Sequence, residues 1–273
     1  MSNLSDVLRI VQLTDTHLFA DSSRELLKLN TQDSFEKVLG LIAARERDLD
    51  LVVATGDISQ DASQEAYLRF CESMKTLDAP FRWLPGNHDS RMVMDKVSAR
   101  IEQQAGTGMS PSVNLGSWQI IMLDSAVPGE VHGCLGEAEL ALLERELSEA
   151  GRAGRHVMVC LHHNPIPGSA GWMSDIGLQN QAQFLSIIDH HSCVRAIVYG
   201  HIHQELDFER GGVRYFCSPS TCIQFKPNVA NFTLDDRNPA YRWFDLHANG
   251  DIDSAVVRLS AYVSQVDHNA SGY

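Results

Sequence analysis

Five short segments carry side chains of the kind that hold metal ions and move protons. They are LTDTH with Asp15 and His17, ATGD with Asp57, PGNHD with Asn87, His88 and Asp89, LHHN with His162 and His163, and YGHIH with His201 and His203. Each has an ordinary explanation when taken alone. An Asp–His pair two residues apart is a common turn or cap, and Gly-Asp after a strand is commoner still. All five in one chain, each straight after an apolar run, point instead to a single cluster of imidazole, carboxylate and amide groups. Residues two apart in an extended chain face the same way, so Asp15 with His17, and His201 with His203, are each expected to aim two groups at one place. Gly56, Gly86 and Gly200 stand just before the polar residues and permit sharp turns there.

The elements that must position these groups read clearly. Apolar runs rich in β-branched residues predict strands over 8–13, 50–55, 81–85, 118–124, 156–162 and 195–200. Helix-period stretches lie between them, at 31–46, 62–76, 91–104, 137–150 and 178–190. Beyond residue 200 the pattern turns β-rich, with VRYFCS, NFTLDD, YRWFDLH and AVVRLS. The early strands are continuously apolar, as in a sheet covered on both faces. The fold class expected is α/β, with two packed sheets and helices outside. Ligands in open α/β sheets gather at the carboxyl ends of strands, where the five segments lie. One domain is expected over residues 1–273, with a mobile tail from about 264.

Composition narrows the function. The chain has 273 residues, 44% of them hydrophobic, and a formal net charge of −13. Such a charge repels a nucleic-acid backbone, so no nucleic-acid partner is expected. It leaves room for a small phosphate ligand, because a metal reverses the local sign. No apolar run approaches the roughly 20 residues needed to cross a bilayer, and no secretory leader is evident, so a cytoplasmic protein without a membrane partner is expected. The six cysteines form no C-x-x-C pair, which argues against a thiolate zinc site. His132, His190, His191 and His247 fall outside the strand-end pattern and read as solvated or capping residues.

The ordered set D-x-H, GD, GNHD, a strand-end histidine and GHxH resembles the signature of the calcineurin-like metallophosphoesterases. The resemblance covers most of the chain. LTDTHLFA, VATGDISQD, WLPGNHD, GHIHQELD, PSTCIQFKP and NFTL are similar to the bacterial class III 3′,5′-cyclic AMP phosphodiesterases within that family. The resemblance implies a four-layer α-β-β-α sandwich of two mixed β-sheets flanked by helices. It also implies two divalent or trivalent metal ions, Fe, Mn, Zn or Co. Asp15, His17 and His203 would hold one ion, and Asn87, His162 and His201 the other, with Asp57 bridging. His162 is preferred to His163 because it is the first histidine off its strand.

The implied substrate is cyclic AMP, contacted by Asn87, His88, His17 and, in the segment 218–227, Cys222. Two ions about 3.5–4 Å apart lower the pKa of a shared water towards neutrality. The resulting hydroxide would attack phosphorus in line. His88 is the expected general acid for the leaving O3′, with Asp89 orienting or charging its ring. Two divalent ions, two carboxylates and a hydroxide sum to a single positive charge, which suits a monoanionic diester. The alternatives are 2′,3′-cyclic nucleotides, glycerophosphodiesters or phosphomonoesters on the same centre. A scaffold keeping a relict site and a nuclease are more distant readings. The chain is expected to act as a monomer or homodimer.

Overall fold

The computed structural model describes residues 7–101, 107–168, 171–260, 262 and 266–272. In chain order the elements are β1 (Val7–Leu13), β2 (Glu25–Leu26), β3 (Leu29–Asn30), α1 (Thr31–Arg45), β4 (Leu51–Thr55), α2 (Gln64–Met74), β5 (Phe81–Leu84), α3 (Arg91–Ile101), β6 (Ser112–Leu115), β7 (Trp118–Met122), α4 (Glu137–Arg152), β8 (His156–Cys160), α5 (Gln181–His190), β9 (Val194–Tyr199), β10 (Leu206–Arg210), β11 (Val213–Cys217), β12 (Gln224–Phe225), β13 (Leu234–Asp235), β14 (Ala240–His247) and β15 (Ile252–Arg258). Every strand and helix expected from periodicity is present, with ends shifted by a few residues. Residues 102–104, expected to close the third helix, lie outside the described residues. The last helix starts at Gln181 rather than 178. The backbone N–H groups of Leu178 and Gln179 go instead to the carbonyls of Asn164 and Gly133. The additional short or edge strands β2, β3, β6 and β10 carry too little apolar signal to stand out in sequence.

Two large mixed sheets form. The first has the order β15-β14-β1-β4-β5 and the second β10-β11-β9-β8-β7-β6. β1, β4 and β5 run parallel, as do β7, β8, β9 and β11. Antiparallel strands close one edge of the first sheet, at β14 and β15, and both edges of the second, at β10 and β6, while parallel β5 forms the other edge of the first. Helices α1, α2 and α3 bury Phe35, Val38, Phe70, Met94 and Val97 against the first sheet. α4 and α5 bury Leu143, Leu147, Phe184 and Ile188 against the second. Between the sheets lie Ile10, Val53, Met158, Val198, Phe216 and Phe244. Three apolar interiors thus separate four layers, the α-β-β-α sandwich expected.

A few buried polar groups lock the sheets together. Gln12 on β1 donates through Nε2 to Thr55 Oγ1 at 2.8 Å and across the sandwich to the Tyr199 carbonyl at 3.0 Å. Arg242 on β14 reaches Ser218 Oγ and the carbonyls of Cys217 and Leu206 at 3.1–3.2 Å. Apolar contacts alone tolerate a slip between sheets. These groups do not, because each lost partner leaves a buried polar atom at a cost of about 1–3 kcal/mol. The offset matters because Thr55 and Tyr199 end the two strands that lead into Asp57 and His201. Over residues 266–272 the tail is fastened to the β2–β3 turn, with Asp267 N–H on the Leu27 carbonyl at 2.9 Å and Lys28 Nζ on Asp267 at 2.9 Å. Residues 263–265 and 273 of the expected mobile tail lie outside the described residues.

Candidate metal centre

The polar segments begin where the central strands stop. β1, β4 and β5 end level, with Leu13 opposite Ala54 and Thr55 opposite Leu84. In the second sheet Cys160 stands opposite Val198. Beyond these points the chain is not extended. Asp15, His17, Asp57, His201 and His203 all adopt left-handed backbone conformations, with φ between 46° and 68°. Such residues cost about 1–3 kcal/mol each and persist only where their surroundings hold them. Here Asp15 N–H bonds the Gly56 carbonyl at 3.0 Å, His17 N–H bonds the Asp57 carbonyl at 2.9 Å, and Ser220 Oγ donates to the Asp15 carbonyl at 2.7 Å.

Asp15 and His17 do converge on one group as expected, but not through an extended chain, and the expectation for the second pair is corrected. His201 and His203 do not face one place. His201 Nδ1 lies 3.1 Å from His162 Nε2, whereas His203 Nε2 lies 3.2 Å from Asp15 Oδ1 and 3.3 Å from His17 Nε2. The glycines also differ in purpose. Gly56 has a φ of +93°. Gly86 and Gly200 are needed for close approach: a Cβ would stand 2.1 Å from Asp57 Oδ1 at the first and 2.0 Å from Thr14 Oγ1 at the second. Gly86→Ala should displace Asp57 and lower metal affinity about 10- to 100-fold with the fold retained. Titration with Mn²⁺ beside a circular-dichroism melt checks it, and unchanged affinity would refute it.

The side chains collect into two adjoining groups. Asp15, His17 and His203 form one, with ligand atoms within 4.8 Å of one another. In the other, His162 Nε2 is 3.2 Å from Asn87 Oδ1 and 3.1 Å from His201 Nδ1. Asp57 Oδ2 lies between them, 3.8 Å from His17 Nε2 and 3.3 Å from His162 Nε2. The first sheet contributes Asp15, His17, Asp57 and Asn87, and the second contributes the other three.

The imidazoles are held from behind. One ring nitrogen of each has an acceptor: Gln60 Oε1 for His17, and the carbonyls of Thr55, Ile176 and Ile223 for His162, His201 and His203. That fixes the tautomer and turns the other nitrogen of each ring towards the other candidate donors, the arrangement a metal-binding histidine needs. His163 is close enough to group with His162 and His201. Its ring, however, is engaged elsewhere, with Nδ1 at 2.8 Å from Ser125 Oγ and Nε2 at 3.2 Å from the Val131 carbonyl. This geometry favours His162. Burial lowers His17 and His201 to about 3, which keeps them neutral and able to donate a lone pair. Burial alone would raise Asp15 and Asp57, but neighbouring histidines outweigh it and hold both below the usual carboxylate range. The oxygen- and nitrogen-rich donor set, buried and pre-aimed, fits a metal centre.

His88 faces the same cavity as Asp57 and Asn87 and meets the His17 ring edge-on at 5.0 Å. Its backbone N–H donates to Asp57 Oδ1 at 2.9 Å. Asp89 has a different setting from the one its sequence position suggests. Its carboxylate accepts the N–H groups of Ile58, Ser59 and Gly86 and the Tyr67 hydroxyl at 2.9–3.0 Å. It therefore clamps the loops after β4 and β5 together, a positioning role. Burial and the Asp57 charge raise it to about 7. Cys222 is buried beneath the site, its thiol 3.4 Å from the Asp15 carbonyl, and the residue of its segment that lines the cavity is Phe225. Gln60, Tyr67 and Ser125 were not singled out in the sequence, since their part depends on which side chain each one meets.

Residues 8–205 match the calcineurin-like phosphoesterase family, and the chain belongs to it. Among its relatives, the 3′,5′-cyclic adenosine monophosphate phosphodiesterase CpdA of Pseudomonas aeruginosa is 40% identical over 97% of this chain and 94% of that protein. CpdA of Escherichia coli K12 is 42% identical over 97% of this chain and 95% of that protein. A dimetal phosphatase from Danio rerio has a similar fold, with a TM-score of 0.59 at 15% identity over 93% of this chain and 99% of that one.

Proposed function

We propose that this chain hydrolyses 3′,5′-cyclic AMP to 5′-AMP at a two-metal centre and so lowers the messenger in the cytoplasm. The observation that carries the reading is the Asp57 carboxylate, set between two groups of pre-oriented imidazoles. The near full-length similarity to CpdA proteins supports the substrate. Asp15, His17 and His203 would hold one ion and Asn87, His162 and His201 the other, with Asp57 shared. Bound there, the ions supply Lewis acidity that activates water and neutralises phosphoryl charge. The chain's own residues do the rest. His88 hydrogen-bonds the phosphate and protonates the departing O3′. Asp89 keeps the two loops in contact, and Gln60 and the backbone carbonyls behind the rings hold each ring on target.

Purified protein loaded with Mn²⁺ should convert cyclic AMP to 5′-AMP faster than it cleaves 2′,3′-cyclic nucleotides, glycerophosphodiesters or nucleotide monoesters. Chelation should abolish turnover and Mn²⁺ should restore it. Cyclic AMP ranking among the poorest substrates would overturn the assignment.

Metal loading should also depend on pH in a defined direction. Burial alone would lower His162, but the charges of Asp57 and Asp15 outweigh it and raise it to about 9 in the metal-free protein. Below that pH the ring carries a proton that an incoming cation must displace. Apparent Mn²⁺ affinity should therefore rise with pH through neutrality, by about tenfold per unit for one proton, and level off above about 9. Calorimetry in buffers of different ionisation enthalpy measures the proton released, and affinity flat between pH 6 and 8 would contradict this.

A further inference from the structure

The cavity over the candidate centre is about 300 Å³ and has two unlike ends. One end presents Asp57, Asn87, His88 and His201. The rest of the lining is Val131, Ile176, three aromatic side chains, Trp172, Phe225 and Phe232, and Ser271 and Gly272 of the tail. Cleavage of a P–O bond uses only the polar end. The apolar end needs another explanation, and its rings are specifically arranged.

The three aromatics come from separate segments. Trp172 lies in the 3₁₀ turn Gly171–Met173, Phe225 in β12, and Phe232 in the loop before β13. Their ring centroids are 5.2–5.4 Å apart and their planes cross at 61–80°, so they form the sides of a corner rather than a flat stack. Phe225 is fixed from behind, stacked on His203 at 4.3 Å and 12°. The apolar corner is thereby tied to a candidate metal ligand. Among the described residues the buried indole N–H of Trp172 has no hydrogen-bond partner. Aromatic side chains at a cavity wall suit a flat ring as their partner. A flat heterocycle with ring nitrogens, joined to a phosphate, matches both ends of the cavity. A phosphate on an aliphatic alcohol matches only one.

We propose that Trp172, with Phe225 and Phe232, forms the site that recognises the purine base, and that Trp172 is the specificity-determining residue. This rests on the cyclic-nucleotide reading above. The sugar-phosphate then lies over Asp57 and His88 while the base stacks in the aromatic corner. Stacking of one base on one aromatic ring accounts for about a 10- to 100-fold effect.

The test compares cyclic AMP with the abasic 3′,5′-cyclic phosphate of 1-deoxyribose. Trp172→Ala should lower kcat/KM for cyclic AMP about 10- to 100-fold, mainly through KM, and leave the abasic diester within about twofold. Trp172→Phe should recover part of the loss, and Phe232→Ala should repeat the pattern should Trp172→Ala fold poorly. A second readout needs neither metal nor turnover: adenosine should quench the tryptophan fluorescence of the metal-free protein, and Trp172→Phe should remove that component. Equal losses on both diesters, or no quenching by adenosine, would overturn the base site. If cyclic AMP is still hydrolysed in that case, the phosphodiesterase reading stands alone. Quenching by adenosine in a protein that does not cleave cyclic AMP would keep the base site and refute the proposed reaction.

Discussion

Asp57→Asn is expected to reduce cyclic AMP hydrolysis on the order of 10³-fold or more and to cut the metal content of the purified protein. The Asp57 carboxylate lies between the two imidazole groups, 3.8 Å from His17 and 3.3 Å from His162. Replacing it with the neutral amide keeps the shape but removes a negative charge from between two proposed cations. The change also removes the main attraction that raises His162, so the ring falls towards the neutral state in the metal-free protein. The mutant should therefore show a weaker pH dependence of metal binding as well as a lower affinity. Thermal stability measured without metal should also fall, most at pH below about 6.5 and least above about 9, because the change removes one partner of the buried Asp57–His162 ion pair. Full metal content with full loss of turnover would remove Asp57 from the ligand set and assign it to the chemistry alone.

His88→Ala should lower turnover of cyclic AMP about 10²- to 10⁴-fold, with the metal content unchanged. The leaving group decides whether this is proton transfer. Ribose O3′ departs as a strongly basic alkoxide and needs a proton as the bond breaks. A nitrophenolate does not. Bis(p-nitrophenyl) phosphate should therefore lose less than about tenfold in the same mutant. Equal losses on the two substrates would make His88 a phosphate-binding group rather than the acid. The position of the ring supports the test, since it lines the cavity beside Asp57 and Asn87 and meets His17 edge-on.

Much of the architecture is visible in the chain because short, β-branched apolar runs bounded by turn residues read as buried strands. LVVAT and HVMVC behave that way, the first buried throughout and the second buried after its first residue. The candidate donors are visible for the opposite reason. His and Asp immediately after such runs are polar groups carried to the edge of an apolar layer, where a ligand or a metal can meet them. Orientation is another matter. Nothing in YGHIH says that both histidines turn left-handed and serve different groups. Nothing in PGNHD says that Asp89 is occupied by three backbone N–H groups and Tyr67. The aromatic corner is equally hidden, because Trp172, Phe225 and Phe232 become neighbours only after three loops fold over the sheets.

The sequence by itself determined the kinds of donor, their order and their place at strand ends, since residue type and hydrophobic period are local properties of the chain. Only the tertiary structure decided which donor faces which. That choice depends on the direction of each lone pair, set by strand register, by the sheet offset that Gln12 and Arg242 hold, and by carbonyls such as those of Thr55, Ile176 and Ile223. Backbone carbonyls are chemically alike at every position, so a sequence cannot mark the three that aim these rings.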